Sequence, residues 1–365
     1  MKLRHARSWF LSALLVSTSS LSAQVAINEI FYHGPDDLDS LQWVELYNTT
    51  SQPVDLSGWR LAKGVAFTFE PGSTLGAQGY LVLCKDRKVF DEFYTVPVAG
   101  EFKKSIKSGG DRLELRDRDG RLIDGVTFDD RAPWPSAADG ETASLERICP
   151  TEGGDDPANW QGSPLSEDGN RPGGTPGQRN AAFRATLPPS LSHIAFPTNT
   201  VAPQQAITVQ AKVQSKSPIK EVALLYRVVR SGMPGEEKSV PMVAVGTDAS
   251  YKAEIPGQDA GQIVRFRIRA VDQNNAERLH PAPTEPHPAF SCLVFTNATP
   301  GKLPLAYLIH PDPDAAEKAL RQARGGGGGE NAMGRFMMQM QFRGALDLPS
   351  LWASLTLSNA TPAGV

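Results

Sequence analysis

The sequence predicts an all-β protein of tandem sandwiches, with a small α+β segment at the C-terminal end. Three observations lead there. The 33 glycines and 29 prolines among 365 residues follow no fixed period, which suits a turn-rich β chain better than a helical one. Short runs rich in β-branched and aromatic residues recur between clusters of Gly, Pro, Asp, Asn and Ser. A hydrophobic content of 40% over this length is enough for two or three separate cores.

In chain order, the opening "MKLRHARSWFLSALLVSTSSLSAQ" sets Lys2, Arg4 and Arg7 before an apolar stretch around Trp9 to Val16, then small residues ending at Leu21-Ser22-Ala23. That is the layout of a secretory leader, and its apolar part is too short to anchor in a bilayer. Residues 1–23 are therefore expected to be removed and the mature chain exported to the periplasm, the cell surface or the medium. No later stretch is long and apolar enough for a transmembrane helix. Losing the leader takes the basic residues from 37 to 34 against 40 acidic ones, a net charge of −6. A mildly acidic chain makes nucleic acid an unlikely partner.

Residues 24–183 hold the runs "QVAINEIFY", "WVELYN", "WRLA", "FTF", "GYLVLC", "DRLELRD" and "RLIDGVTF", each bounded by turn residues. The pair Asp119-Gly120 between two alternating runs predicts a hairpin. From Asp155 to Asn180 turn formers dominate, which predicts an irregular closing segment leading into a linker. Two charges stand out: Glu29 and Glu45 sit inside apolar, strand-like runs. A buried carboxylate is costly unless it is paired or hydrogen-bonded, so the two are either machinery or architecture.

Residues 184–297 form a second unit. Ile207, Val209, Ala211 and Val213 alternate with Thr208, Gln210, Lys212 and Gln214. Val264, Phe266, Ile268 and Ala270 alternate with Arg265, Arg267 and Arg269 in the same way. About seven such strands in roughly 110 residues predict an immunoglobulin-like or fibronectin type III-like sandwich. Residues 298–365 read differently. "LPLAYLI" suits a strand, and "DPDAAEKALRQAR" suits a helix with Asp312 as N-cap, Pro313 in its first position and Arg late. This looks like the start of a third, incomplete domain.

Six motifs in order make the first unit resemble the lamin tail domain: "INEI", "WVELYN", "VDLSGWRL", "FEPGSTLGAQGYLVL", "GDRLELRDRDGRLID", and the closing "SLERI" with "GTPGQRN". The resemblance implies an immunoglobulin-like sandwich and a binding or anchoring module of exported bacterial multidomain proteins, with no catalytic residues of its own. It also implies an architectural role for Glu29 and Glu45, which fall in the family's recurring strand motifs. The second unit, with "DASYKAEIPGQDAGQIVRFRIRAVD", is similar to immunoglobulin-like domains that follow such modules. The tail resembles the lead-in to a spore-coat protein H (CotH) kinase-like domain, whose nucleotide-binding and catalytic segments have no counterpart here. The implied function is an exported scaffold whose partner is a protein or a cell-surface polysaccharide. The alternative is the accessory front of a kinase-like or hydrolytic enzyme.

No catalytic constellation and no cofactor site is expected. Asp36, Asp37 and Asp39 in "GPDDLDS" offer hard oxygen ligands for Ca²⁺, but their spacing matches no complete EF-hand loop, and a solvated acidic loop is the plainer reading. Arg265, Arg267 and Arg269 suit either an anionic polymer or the wet, aggregation-resistant face of a strand. Cys84, Cys149 and Cys292 lack metal-ligand spacing; they allow one disulfide, Cys84 with Cys149, or three buried thiols. The run Gly325 to Gly329 follows a predicted helix and lacks the Lys of a phosphate loop.

Overall fold

The computed structural model of the protein describes residues 23–35, 38, 40–165, 171–197, 200–229, 235–295, 305–309 and 354–358, the last two stretches as backbone. Nearly all of the expected leader, the helix expected after Asp312, and Asp36, Asp37 and Asp39 lie outside the described residues.

The first sandwich runs β1 (Val25–Phe31), β2 (Trp43–Asn48), β3 (Val54–Asp55), β4 (Arg60–Ala62), β5 (Phe67–Thr68), β6 (Thr74–Leu75) and β7 (Tyr80–Cys84). Helix α1 (Arg87–Phe93) follows, then β8 (Val98–Glu101), β9 (Asp111–Arg116), β10 (Leu122–Phe128), β11 (Leu145–Arg147) and β12 (Trp160–Gly162). Six strands make one sheet in the order β12-β11-β1-β2-β7-β8, and four make the facing sheet, β10-β9-β4-β5. Between them lies a core that includes Ile27, Ile30, Val44, Leu46, Leu83, Leu113, Leu115 and Val126. The six-stranded sheet is buried on its outer face as well, where Phe31, Trp43, Val82, Cys84 and Phe90 cluster under α1.

A β-bulge in β1 makes this two-faced sheet possible. The register passes from Ile27↔Leu46 to Glu29↔Glu45, so one residue of β1, Asn28, has no counterpart on β2. Alternation therefore changes phase. Ile27 and Ile30 both face the core, whereas Glu29 and Phe31 turn outward. The backbone groups freed at the bulge find side chains: Ile27 N–H donates to Asp124 Oδ2 at 2.7 Å, and its carbonyl accepts from Arg147 Nη1 at 3.0 Å. Arg147 and Asp124 are themselves a buried ion pair, and Arg147 lies over the Trp160 ring at 5.8 Å. The expected hairpin joins β9 to β10 through Arg118, Asp119 and Gly120. Gly120 donates to the Asp117 carbonyl at 3.0 Å and takes the left-handed conformation at φ 84°, the pattern of a three-residue loop.

The second sandwich comprises β13 (Ser190–Ala195), β14 (Thr200–Val201), β15 (Ile207–Gln214), β16 (Ile219–Val229), β17 (Lys238–Pro241), β18 (Val243–Val245), β19 (Ser250–Ile255), β20 (Ile263–Asp272), β21 (Glu277–His280) and β22 (Phe290–Val294). Its sheets run β13-β15-β19-β18 and β14-β22-β20-β16-β17, with β21 also on β20. Among the described residues these are ten strands, where the sequence pattern led to about seven. The alternating residues of β15 and β20 fill the core as expected: Ile207, Val209, Ala211 and Val213 meet Val264, Phe266, Ile268 and Ala270. Beyond it, β23 (Leu305–Ile309) pairs antiparallel with β24 (Ser354–Ser358). The protein is thus all-β, in sandwiches with no closed barrel. Cys84, Cys149 and Cys292 are three buried free thiols, and burial pushes those of Cys84 and Cys292 up to about 11.

Candidate functional site

The two glutamates of the sequence question stand side by side, with a third beside them. Glu29 pairs with Glu45 across β1 and β2 and with Glu146 across β1 and β11, so three carboxylates line up on the outer face of the six-stranded sheet. All three are 0% exposed. What covers them is the closing segment 173–182, laid along the row. Glu29 Oε1 accepts from Ser144 Oγ at 2.5 Å and Thr175 N at 2.8 Å, and Glu29 Oε2 accepts from Thr175 Oγ1 at 3.1 Å. Glu45 accepts from Asn28 Nδ2 at 2.8 Å and Gly177 N at 2.5 Å. Glu146 accepts from Ala182 N at 2.7 Å, and its Oε1 lies 3.2 Å from Thr175 Oγ1, so the two glutamates share that one hydroxyl. Asn180 completes the strap by donating to the carbonyls of Asn28 and Arg147.

Only glycine fits where the strap lies closest. Gly174 has φ 91°, and a Cβ there would come within 2.9 Å of both Glu29 Oε1 and the Trp43 ring. Gly177, at φ 77°, would meet Val96 at 2.6 Å. The electrostatics follow from the dryness. Burial drives Glu29 well above its ordinary value, with Glu146 and Glu45 adding like-charge repulsion; burial pushes Glu45 up to about 8 and raises Glu146. A glycosidase pair would need room for a sugar between its carboxylates. Here backbone amides occupy that space.

The arginine row of β20 is half-buried and laced with acids. Arg267 lies 3.0 Å from Glu237, which also lies 3.5 Å from Arg227, and Arg269 lies 2.5 Å from Glu221 and 3.9 Å from Glu277. The open, anionic-polymer reading is weakened by these partners. Among the described residues no group of three or more His, Cys, Asp and Glu is placed to hold a metal ion, and Asp36, Asp37 and Asp39, the candidates for Ca²⁺, lie outside them.

A third feature is a groove of about 660 Å³ between the two sandwiches. Trp134 and Trp160 line it from one side, and Leu191, Arg278, His280 and Phe290 from the other. Polar ties span it: Ser136 N and Oγ donate to Glu285 at 3.1 and 2.6 Å, and Arg278 Nη2 donates to the Ala158 carbonyl at 2.5 Å. Arg278 Nε also donates to the Pro189 carbonyl at 2.6 Å. Burial pushes Arg278 down to about 10, and burial together with the charge of Arg278 holds His280 down at about 4.

Sequence reasoning singled out Glu29 and Glu45 and missed Glu146, Asp124, Arg147 and Arg278. "SLERI" carried the clue to the first of these, a Glu-Arg pair inside an apolar run. No helix among the described residues is long and apolar enough to cross a membrane.

Residues 18–130 match the family model of the lamin tail domain, an immunoglobulin-like fold, so the match covers 113 of the 365 residues. No curated protein matches the sequence. Three solved structures show the level of likeness found. The alkylpurine DNA glycosylase AlkC of Pseudomonas fluorescens, bound to DNA containing an abasic site analog, is 14% identical over 25% of this chain and 29% of its own, with a TM-score of 0.17. Alpha-2-macroglobulin of Escherichia coli, activated by porcine elastase, is 11% identical over 77% of this chain and 23% of its own, with a TM-score of 0.22. The pullulanase of Bacillus acidopullulyticus is 10% identical over 73% and 37%, with a TM-score of 0.19. This chain spans well under half the length of each, and scores this low fix neither fold nor function.

Proposed function

We propose that the chain is an exported, non-catalytic binding or scaffold protein of the cell surface or periplasm, built on a lamin tail module. One observation carries this reading. The residues that most suggest chemistry, Glu29 and Glu45, are closed off from solvent by backbone donors of the strap and hold the fold instead of facing a substrate. The sandwiches offer flat sheet faces and a groove at their junction, which is where a fold of this kind places recognition. Export rests on the leader-like opening of the sequence.

The test is fractionation of the native host followed by retention of the purified chain on isolated envelope. The chain should appear outside the cytoplasm and co-sediment with envelope polymer or protein. A cytoplasmic chain that ignores the envelope overturns the reading. The second reading, an accessory front for a kinase-like or hydrolytic enzyme, rests on the resemblance of residues 298–365 to a kinase-like lead-in. It predicts that the product of the native gene transfers phosphate from ATP or hydrolyses a surface polymer.

A further inference from the structure

We propose that the groove between the two sandwiches seats an amphipathic organic carboxylate, anchored on Arg278 with its apolar body against Trp134, Leu191 and Phe290. The assignment rests on the binding reading above and specifies where binding happens and to what chemistry. The groove has a volume, about 660 Å³, within the usual range of small-ligand sites, and it sits at a domain junction, where such sites concentrate. Its walls are mainly aromatic, prolyl and aliphatic, which suits an apolar body.

Arg278 supplies the specificity. Two of the guanidinium's five N–H donors serve the neutral carbonyls of Pro189 and Ala158, which leaves three, enough for a two-pronged contact with a carboxylate. No carboxylate among the described residues lies within ion-pairing distance of it. Asp156 acts on it only from farther off, and Arg184 adds positive charge. Glu285, the acid in the groove wall, is engaged with Ser136 N and Oγ. A charge taken out of water and given only neutral partners gains most from an anion arriving in the same cavity. His280 is held neutral beside it and can donate or accept a hydrogen bond without competing for the anion.

The experiment is calorimetric titration of the full chain with benzoate and with its neutral counterpart benzamide. Benzoate should bind one to one, with benzamide weaker by about tenfold or more. Arg278→Gln should remove the difference between the two. Because Arg278 also ties the sandwiches together, a second variant leaves it in place: Ser192→Trp puts a bulky ring on an exposed wall position and should block benzoate while the melting profile stays that of the parent. Equal binding of benzoate and benzamide, no binding of benzoate, or benzoate binding that survives Ser192→Trp each overturns the assignment. A chain that still co-sediments with envelope but ignores benzoate loses the groove site alone, and one that fails to co-sediment loses the broader function.

Discussion

Glu45 shows how far burial governs a single side chain. In an unfolded chain its carboxyl titrates near 4.5, and in the folded protein near 8. Between those values the native state holds more protons than the unfolded state, so stability must fall as pH rises from about 4.5 to about 8, then level off. Glu29 and Glu146 shift in the same direction and deepen the fall. Glu45 alone accounts for a change on the order of 4 kcal/mol. Urea midpoints at about pH 5 and about pH 9 measure it, and Glu45→Gln should narrow the difference between them; an unchanged difference contradicts the account. Arg147 is the second test at this scale. Arg147→Met strands the Asp124 carboxylate and the Ile27 carbonyl in the core, and an unfolding titration should show a loss of about 3–5 kcal/mol. The sequence marks Glu29 and Glu45 as anomalous because their neighbours are apolar. It conceals Asp124 and Arg147, which stand among other charged residues in "DRDGRLID" and "SLERI" and become partners only through strand pairing.

At the scale of elements, strands with strict alternation were legible from sequence and those with a change of phase were not. In β15 and β20 each second residue is apolar and buried, because nothing interrupts the pleat. In "VAINEIFY", unbroken alternation would put Glu29 on the same face as Val25 and Ile27. The bulge at Asn28 turns it outward, and that bulge is set by pairing with β2, which local sequence cannot report. Helix α1 went unread for a similar reason: seven residues capped by Asp86 carry too little periodicity to separate from a loop. The strap reads as irregular because its order comes from carboxylates far away in the chain, yet its backbone is tied down at Thr175, Gly177 and Ala182 much as a strand is by its ladder. Gly174→Ala tests how much those ties matter. It adds a Cβ against Glu29 and Trp43 at a left-handed φ and should cost about 1–3 kcal/mol, with proteolysis near residues 173–182 rising in step. Cleavage elsewhere first would show that the strap is dispensable.

For the molecule as a whole, the two largest hydrophobic clusters lie one in each sandwich. The junction between the sandwiches could not be read from the sequence, since its ties join residues such as Arg278 and Ala158, 120 positions apart. The strap imposes the same separation on the order of events during synthesis. Thr175 reaches Glu29 across 146 residues, so a nascent chain emerging amino end first exposes every strand of the first sandwich before its lid exists. Until then three like-charged carboxylates face water on the part of the outer face that α1 does not cover. Released chains truncated at 170 should therefore be cut freely by protease and those ending at 184 should resist, which would make residues 171–184 the stretch whose arrival locks the module.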